Sequence, residues 1–460
     1  MKEVDEVIKG GYCIGCGACS LGQADSSRVI SMTPLGFYQA DANVVSDAII
    51  DAVCPFTGAG PNETEIARRL WSEGRKSHRY VGSYLSLYAG HVKEAGFRMR
   101  GSSGGLTSWI LAELLKRQSV NAVIHVKKSE RSDLLYEYGV SADLDSLYAG
   151  AKSHYYPVEM SQVLRYIREN VGRYVVVGVP CFIKALRKLM LVEPVFKERV
   201  AYCAGLFCGH LKGKGFAEML AAQCGVQPEH LSEFDFRTKL PDRSSADYGV
   251  TATERVDGQE VKRMSPVSDL LGTDWGMGFF KYKACDYCDD ISAETADFSV
   301  GDAWLPKYRS DYQGTNILIV RNEEIQSIVD EGVKSGALHM EAVGLDDILR
   351  SQGANVRHRR EDLPYRLKLE DDAGRWRPAK REVAGNIGSR KRRDIQDCRI
   401  QFRDGIPVLW NNAVQKGNPH SFFKEVEPLA KHYREIYSRR SLIGRVKAKC
   451  KRYLKCIIGS

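Results

Sequence analysis

The sequence predicts an α/β (α+β) protein in three parts: a small cysteine-rich N-terminal module over residues 1–65, a mixed-sheet α/β domain over 80–365, and a basic, mostly helical tail over 375–460. Three observations lead there. The first 60 or so residues are rich in Gly and Cys and hold no long periodic segment. From about Ser83, short apolar runs alternate with helical periodicity, as they do where strands and helices take turns along a sheet. From Arg375 onward 22 Lys and Arg face 7 Asp and Glu, a net +15, whereas the remainder holds 45 and 51, a net −6.

The α/β elements follow in order. LYAGHV reads as a strand, LTSWILAELLKRQ as a helix, AVIHVKK as a strand, VLRYIREN as a helix and RYVVVGVP as a strand. RVAYCAGLFCGH is a strand entering a Cys-bearing loop, and ADFSVGDAW and NILIVR are strands around a tight Gly-Asp turn. The cluster RKRRD at 390–394 opens the helical tail. With 460 residues and 43% apolar content the chain is long enough for two or three packed domains. No signal-peptide core and no run of about 18 apolar residues is present, so the expected location is cytoplasmic. In a reducing compartment its 13 cysteines are metal ligands or packing groups rather than disulfide partners.

The cysteines define the chemistry. Cys13-Ile-Gly-Cys16-Gly-Ala-Cys19 spaces three thiols two residues apart, a loop able to wrap three corners of an iron-sulfur cube. Gln23 stands where a ferredoxin-type run would place its fourth cysteine, so Cys54, followed by Pro55, is the expected fourth ligand. Gly15, Gly17 and Ala18 are small enough for backbone N–H groups to approach the sulfides. This is the expectation of a ferredoxin-like 4Fe-4S module. Zinc competes, although zinc sites favour paired Cys-x-x-Cys knuckles over a triple run.

Further along stand Cys181, Cys208, and the pair Cys285 and Cys288, of which only the pair is a local motif. On spacing alone the pair could be half a zinc knuckle, and Cys181 and Cys208 could be buried packing groups. Cys203, Cys224, Cys398, Cys450 and Cys456 show no ligand spacing and are assigned to packing or the surface. Gly101-Ser102-Ser103-Gly104-Gly105 enters a helix, where free N–H groups and the helix dipole favour an anion such as a pyrophosphate. The loop is neither a P-loop nor a Rossmann fingerprint, and it also reads as an ordinary turn.

Taken in order, CIGCGAC, GSSGG, YAGAKSHYY, VGVPCFIKALRKL, GLFCGH, FDFRTK, CDYCDD, ADFSVGDAW and SQG at 351–353 resemble the beta subunits of coenzyme F420-reducing hydrogenases and dehydrogenases, with 7-hydroxymethyl chlorophyll a reductase as a relative. The resemblance covers about three quarters of the chain and fades after about residue 365. It implies FAD and one or two 4Fe-4S clusters, two being expected here from the two cysteine sets. It makes Cys181, Cys208, Cys285 and Cys288 the ligands of the second cluster, and places Gly101 to Gly105 and Lys152 beside the flavin. Around Lys152 this chain reads Gly150-Ala151-Lys152-Ser153, where many members read Gly-Ser-Lys-Tyr.

The implied activity is that of an iron-sulfur flavoprotein oxidoreductase. It would pass electrons between a ferredoxin-like or deazaflavin partner and an organic substrate, with His210 the nearest candidate acid. The alternatives are an electron-transfer subunit without substrate chemistry of its own, and a zinc-containing binding protein. Nucleic acid is an unlikely partner. In the tail, Leu442, Ile443, Val446, Cys450, Tyr453, Leu454 and Ile457 recur at helical spacing among Lys and Arg, the composition of a helix that rests on anionic lipid or packs on the protein's own core.

Overall fold

The computed structural model describes residues 3–22, 29–41, 48–71 and 75–438. The apolar stripe expected at 442–457, with Cys450 and Cys456, lies outside them.

At the centre is an eight-stranded mixed sheet. Its strands in chain order are β1 (Ser86–Val92), β2 (Ala122–Lys128), β3 (Tyr136–Ser141), β4 (Tyr174–Gly178), β5 (Val200–Leu206), β6 (Phe298–Asp302), β7 (Asn316–Val320) and β8 (Leu338–Ala342). Their spatial order is β8-β1-β7-β6-β5-β4-β2-β3. Strands β2, β4, β5 and β6 run parallel to one another. β1 runs the same way, because it is antiparallel to β7, which is antiparallel to β6. The C-terminal ends of five strands therefore share one edge of the sheet. Between β1 and β2 the chain crosses to the far side of the sheet and then returns strand by strand, and in such open sheets ligands collect beyond the carboxyl ends.

The parallel strands alternate their side chains between two cores, as the two-residue strand period requires. Val123, Val175 and Val177 pack with Leu106, Trp109 and Ile110 of helix α1 (Leu106–Lys116) on one face. Ile124, Val176 and Cys203 pack with Phe182, Ile183 and Leu186 of helix α2 (Pro180–Val192) on the other. The N-terminal module, a two-stranded ribbon (Ile30–Met32 with Tyr38–Ala40) and short helices, has a small cluster around Val4, Ile8 and Ile50. It also inserts Val7, Tyr12 and Ile14 into the α2 core.

The expected strands and helices of the α/β domain occur within a few residues of their sequence positions. The Gly-Asp turn does not: Gly301 and Asp302 end β6, and a longer connection with a short helix at Pro306–Arg309 leads to β7. Gly301 serves close packing instead, since a Cβ there would meet the Phe207 ring at 2.7 Å. A three-stranded antiparallel sheet over 231–266 occupies the long β5–β6 connection.

The tail forms helices α3 (Arg390–Gln415) and α4 (Pro419–Ser438), whose Phe402, Trp410, Phe422 and Tyr433 share a core with Phe216, Phe234 and Phe279. Part of its positive charge is spent on the acidic body: Arg381 meets Asp289 and Glu294, Arg392 meets Asp362, and Arg403 meets Asp286. Among the described residues no helix is long and apolar enough to cross a membrane.

Candidate functional site

The eight predicted thiols form two sets. Cys13, Cys16, Cys19 and Cys54 line one small cavity with Val4, Val7 and Phe56. The loop that carries them turns through left-handed glycines, Gly15 (φ 61°) and Gly17 (φ 84°), which directs backbone amides at sulfur. Gly15 N–H and Ala40 N–H donate to Cys13 Sγ at 3.4 and 3.3 Å. The Ala18 amide serves Cys16, and the Phe56 and Thr57 amides serve Cys54. The Lys188 ammonium ties the Cys54 segment down through Cys54 O and Ala59 O, both at 2.7 Å.

The second set comes from neighbouring strand ends. Cys181 follows Pro180 at the start of α2, directly after β4, and Cys208 follows β5, the strand beside β4. Cys285 and Cys288 lie on and just after the tight helical turn Lys283–Tyr287. That turn is joined to the Cys208 loop by Leu211 N–H, which donates to Cys285 Sγ at 3.2 Å. Cys181 feels the charges of Cys288, Cys208 and Cys285, and also that of Cys16, so the two sets are neighbours. Tyr282 stands between them: it accepts a 2.9 Å hydrogen bond from Tyr38 N–H and faces both Cys13 and Cys285.

Burial pushes the Cys13 and Cys285 thiols up to about 11 and that of Cys208 to about 12. A thiol so placed becomes a ligand only when a bound cation or cluster offsets the cost of its charge. Two sets of four thiols, Cys13, Cys54 and Cys181 half-buried and the rest buried, with amides turned to sulfur, fit two four-thiolate clusters in donor chemistry. Among the described residues no three Cys, His, Asp or Glu side chains are grouped to chelate a single ion. Cys203 is core, and Cys224 and Cys398 pack against the tail core.

Beyond the ends of β4, β5 and β6 lies a cavity of ≈ 260 Å³, a little below the ~300–1,000 Å³ usual for small-molecule sites. Gly101, Ser102, Ser103 and Gly105 line it, as do Lys152 and Cys208, so the loop and the lysine meet beside a thiol of the second set. Gly104 is not in the wall. A Cβ on it would meet Gly90 O and Asn316 Oδ1, both at 2.8 Å, so this glycine lets the loop close on β1 and β7. Ser102 Oγ accepts from Ser153 N–H at 2.8 Å, and Ser103 Oγ donates to Thr315 O at 3.0 Å. At the N-terminus of α1, Leu106 N–H donates to Asn316 Oδ1 at 3.2 Å. The Lys152 ammonium pairs with Asp235, which offsets the charge expected there.

Behind the cavity wall, Arg237 and Lys239 carried no role in the sequence reading. Arg237 is buried, bonded to Asp302 Oδ2 at 3.0 Å and to Ser102 O at 3.3 Å. Lys239 holds Ser103 O at 3.0 Å and is pushed down to about 7 by burial and then by Arg98 and Arg237. Both lie in FDFRTK, a string that carried the family likeness but no assignment. Burial keeps three wall histidines neutral, pushing His125 down to about 4, His154 to about 3 and His210 well below its ordinary value. His210, the candidate acid, sits against Trp275 at 4.6 Å, and its Nε2 lacks a protein partner.

Comparison with known proteins follows the same regions. The sequence model of the N-terminal part of the coenzyme F420 hydrogenase/dehydrogenase beta subunit matches residues 87–165, and that of its C-terminal part matches 171–345. The coenzyme F420-dependent sulfite reductase of Methanocaldococcus jannaschii is 21% identical over 79% of this chain and 53% of its own length. The coenzyme F420 hydrogenase subunit beta of Methanococcus voltae is 24% identical over 44% of this chain and 62% of its own. The chain thus spans little more than half the length of these relatives. Among solved structures, a chain of the F420-reducing NiFe hydrogenase complex from Methanosarcina barkeri aligns with 15% identity and a TM-score of 0.49, covering 64% of this chain and 96% of that one.

Proposed function

Because the chain belongs to the coenzyme F420 hydrogenase/dehydrogenase beta subunit family, we propose that it is an iron-sulfur flavoprotein oxidoreductase that passes electrons between a ferredoxin-like or deazaflavin partner and an organic substrate. The observation that supports this best is that Cys208 belongs both to the second thiol set and to the wall of the cavity behind the Gly101–Gly105 loop. Cys13, Cys16, Cys19 and Cys54 would hold one 4Fe-4S cluster, and Cys181, Cys208, Cys285 and Cys288 the other. FAD would lie against Gly101, Ser102, Ser103, Gly105 and Lys152. When bound, the clusters supply one-electron transfer and the flavin converts it to two-electron chemistry with the substrate.

The chain's own residues give this site its order. Arg237 and Lys239 fix the loop carbonyls of Ser102 and Ser103, and Asn316 takes the first amide of α1, Leu106 N–H, so an anion would meet the loop amides. Lys152 stands at the wall with its charge balanced by Asp235. Tyr155 and Trp275, ring centroids 4.7 Å apart, shield the Cys208 side from water.

Anaerobically purified protein should release FAD on denaturation, and reduced ferredoxin should bleach the bound flavin at a rate that falls at least tenfold in Cys288→Ser. Protein without flavin, or an unchanged rate in that variant, contradicts the proposal. The relative from Methanococcus voltae, a hydrogenase subunit by name, favours a second reading, an electron-transfer subunit of a larger assembly. Turnover by the isolated chain would support the first reading, and turnover only with copurified partner subunits would support the second.

A further inference from the structure

Arg359 sits on a single π-helical turn, Arg357–Glu361, and is 1% exposed. Such turns are frequent at functional sites. Its Nη2 donates to Gly209 O at 2.6 Å and lies 3.8 Å from Cys208 Sγ. Its Nε and Nη1 are buried without a protein partner, and among the described residues no other side chain leaves two nitrogens so. The neighbouring Arg360 has Glu294 at 2.8 Å and Glu382 at 3.3 Å. The fully buried Arg321 spends its nitrogens on Ser83, Val81, Ala296 and Ser299. Among the described residues Arg359 has no carboxylate within ion-pair distance, and the groups whose charge it feels most are the thiols of Cys288, Cys208, Cys285 and Cys181.

A guanidinium does not shed its proton in a protein, and a buried, unpaired one is costly. Its counter-charge must come from the second thiol set. We infer that Arg359 is a positioning residue that sets the reduction potential of the group held by Cys181, Cys208, Cys285 and Cys288. Reduction takes one electron from the donor and adds one negative charge to this site, with no bond made or broken. A fixed cation and N–H donors at the sulfurs favour the more negative state, so Arg359 holds the potential up. Among the described residues the first set has amides at sulfur and the charges of Lys188 and Lys184 near Cys54, but no arginine bonded to one of its sulfurs. The second set is the one beside the cavity.

The inference rests on the cluster reading above, and iron content of the wild-type chain tests that reading separately. Potentiometric titration of the anaerobic full chain, followed by EPR, tests Arg359 itself. In Arg359→Gln the second centre should become at least tenfold harder to reduce, a negative shift of about 59 mV or more for one electron, while the first stays unchanged. Arg359→Lys, which keeps the charge and loses the fork of donors, should fall between. Wild-type potentials at both centres in Arg359→Gln overturn the inference. Should that variant fail to keep its second centre, Arg359→Lys decides: a retained centre at or somewhat below the wild-type potential supports the charge role, and loss of the centre in both variants overturns it.

Discussion

In the first cysteine set three thiols lie within seven residues and the backbone braces them, through left-handed glycines and amides turned to sulfur. In the second, three separate segments meet where neighbouring strands end, and a buried arginine stands beside them. The first is a local motif fixed by chain geometry, whereas the second is a product of the sheet. Damage to the first should stay local, and the second should follow the state of the fold around it.

The largest test of this contrast is removal of one ligand from each set. Cys16→Ser should lose about half the iron and spare the second centre, and Cys288→Ser should do the reverse, each measured as iron and labile sulfide per chain. Full iron in both variants would dissolve the division into two sets.

Backbone bracing in the first set is tested at Gly15. An alanine there would keep a left-handed conformation and bring its Cβ within 2.7 Å of the Tyr38 carbonyl carbon. The cost is at least about 2 kcal/mol. It should appear as a lower denaturant midpoint with iron lost from the first centre alone.

Acid should separate the regions in the other direction. Residues 1–65 contain no histidine, while the cavity wall holds His125, buried and bonded to Ser141 Oγ at 2.9 Å. Burial pushes His125 down to about 4 from an ordinary 6.5, so the unfolded chain takes up its proton first. The stability it contributes is fully present above pH 6.5 and is lost as pH falls toward 4. Between pH 7 and 5 this amounts to about 2 kcal/mol. Denaturant midpoints should fall over that interval, and His125→Gln should flatten the slope. An identical slope in the variant would remove His125 as the cause.

The smallest effect is expected where the regions touch. Tyr282→Phe removes the acceptor for Tyr38 N–H and should cost about 1 kcal/mol in thermal or denaturant unfolding while both centres remain. Loss of either centre would make the tyrosine more than a brace.

The same contrast explains what could be read from sequence. Cys13, Cys16 and Cys19 announce themselves because all the information sits in one loop. Cys181 and Cys208 do not, because their proximity depends on β4 lying beside β5, and strand order is not written in local periodicity. The sheet's elements were legible from alternation, yet Gly301-Asp302 reads as a turn when Gly301 is in fact making room for Phe207. Gly104 was expected to face a ligand and instead packs on the protein's own backbone. Arg359 lies in Arg357-His-Arg-Arg360, which looks like a solvated charge run, but Arg359 and Arg360 are both buried.

The central claim is that these eight thiols hold two four-iron centres, and it is tested most directly by iron, zinc and acid-labile sulfide analysis of anaerobically purified full-length chain, with its absorption and EPR spectra. The account predicts about eight iron atoms and a matching amount of sulfide, with negligible zinc. About four iron atoms would leave only one centre, and stoichiometric zinc without sulfide would contradict the account outright.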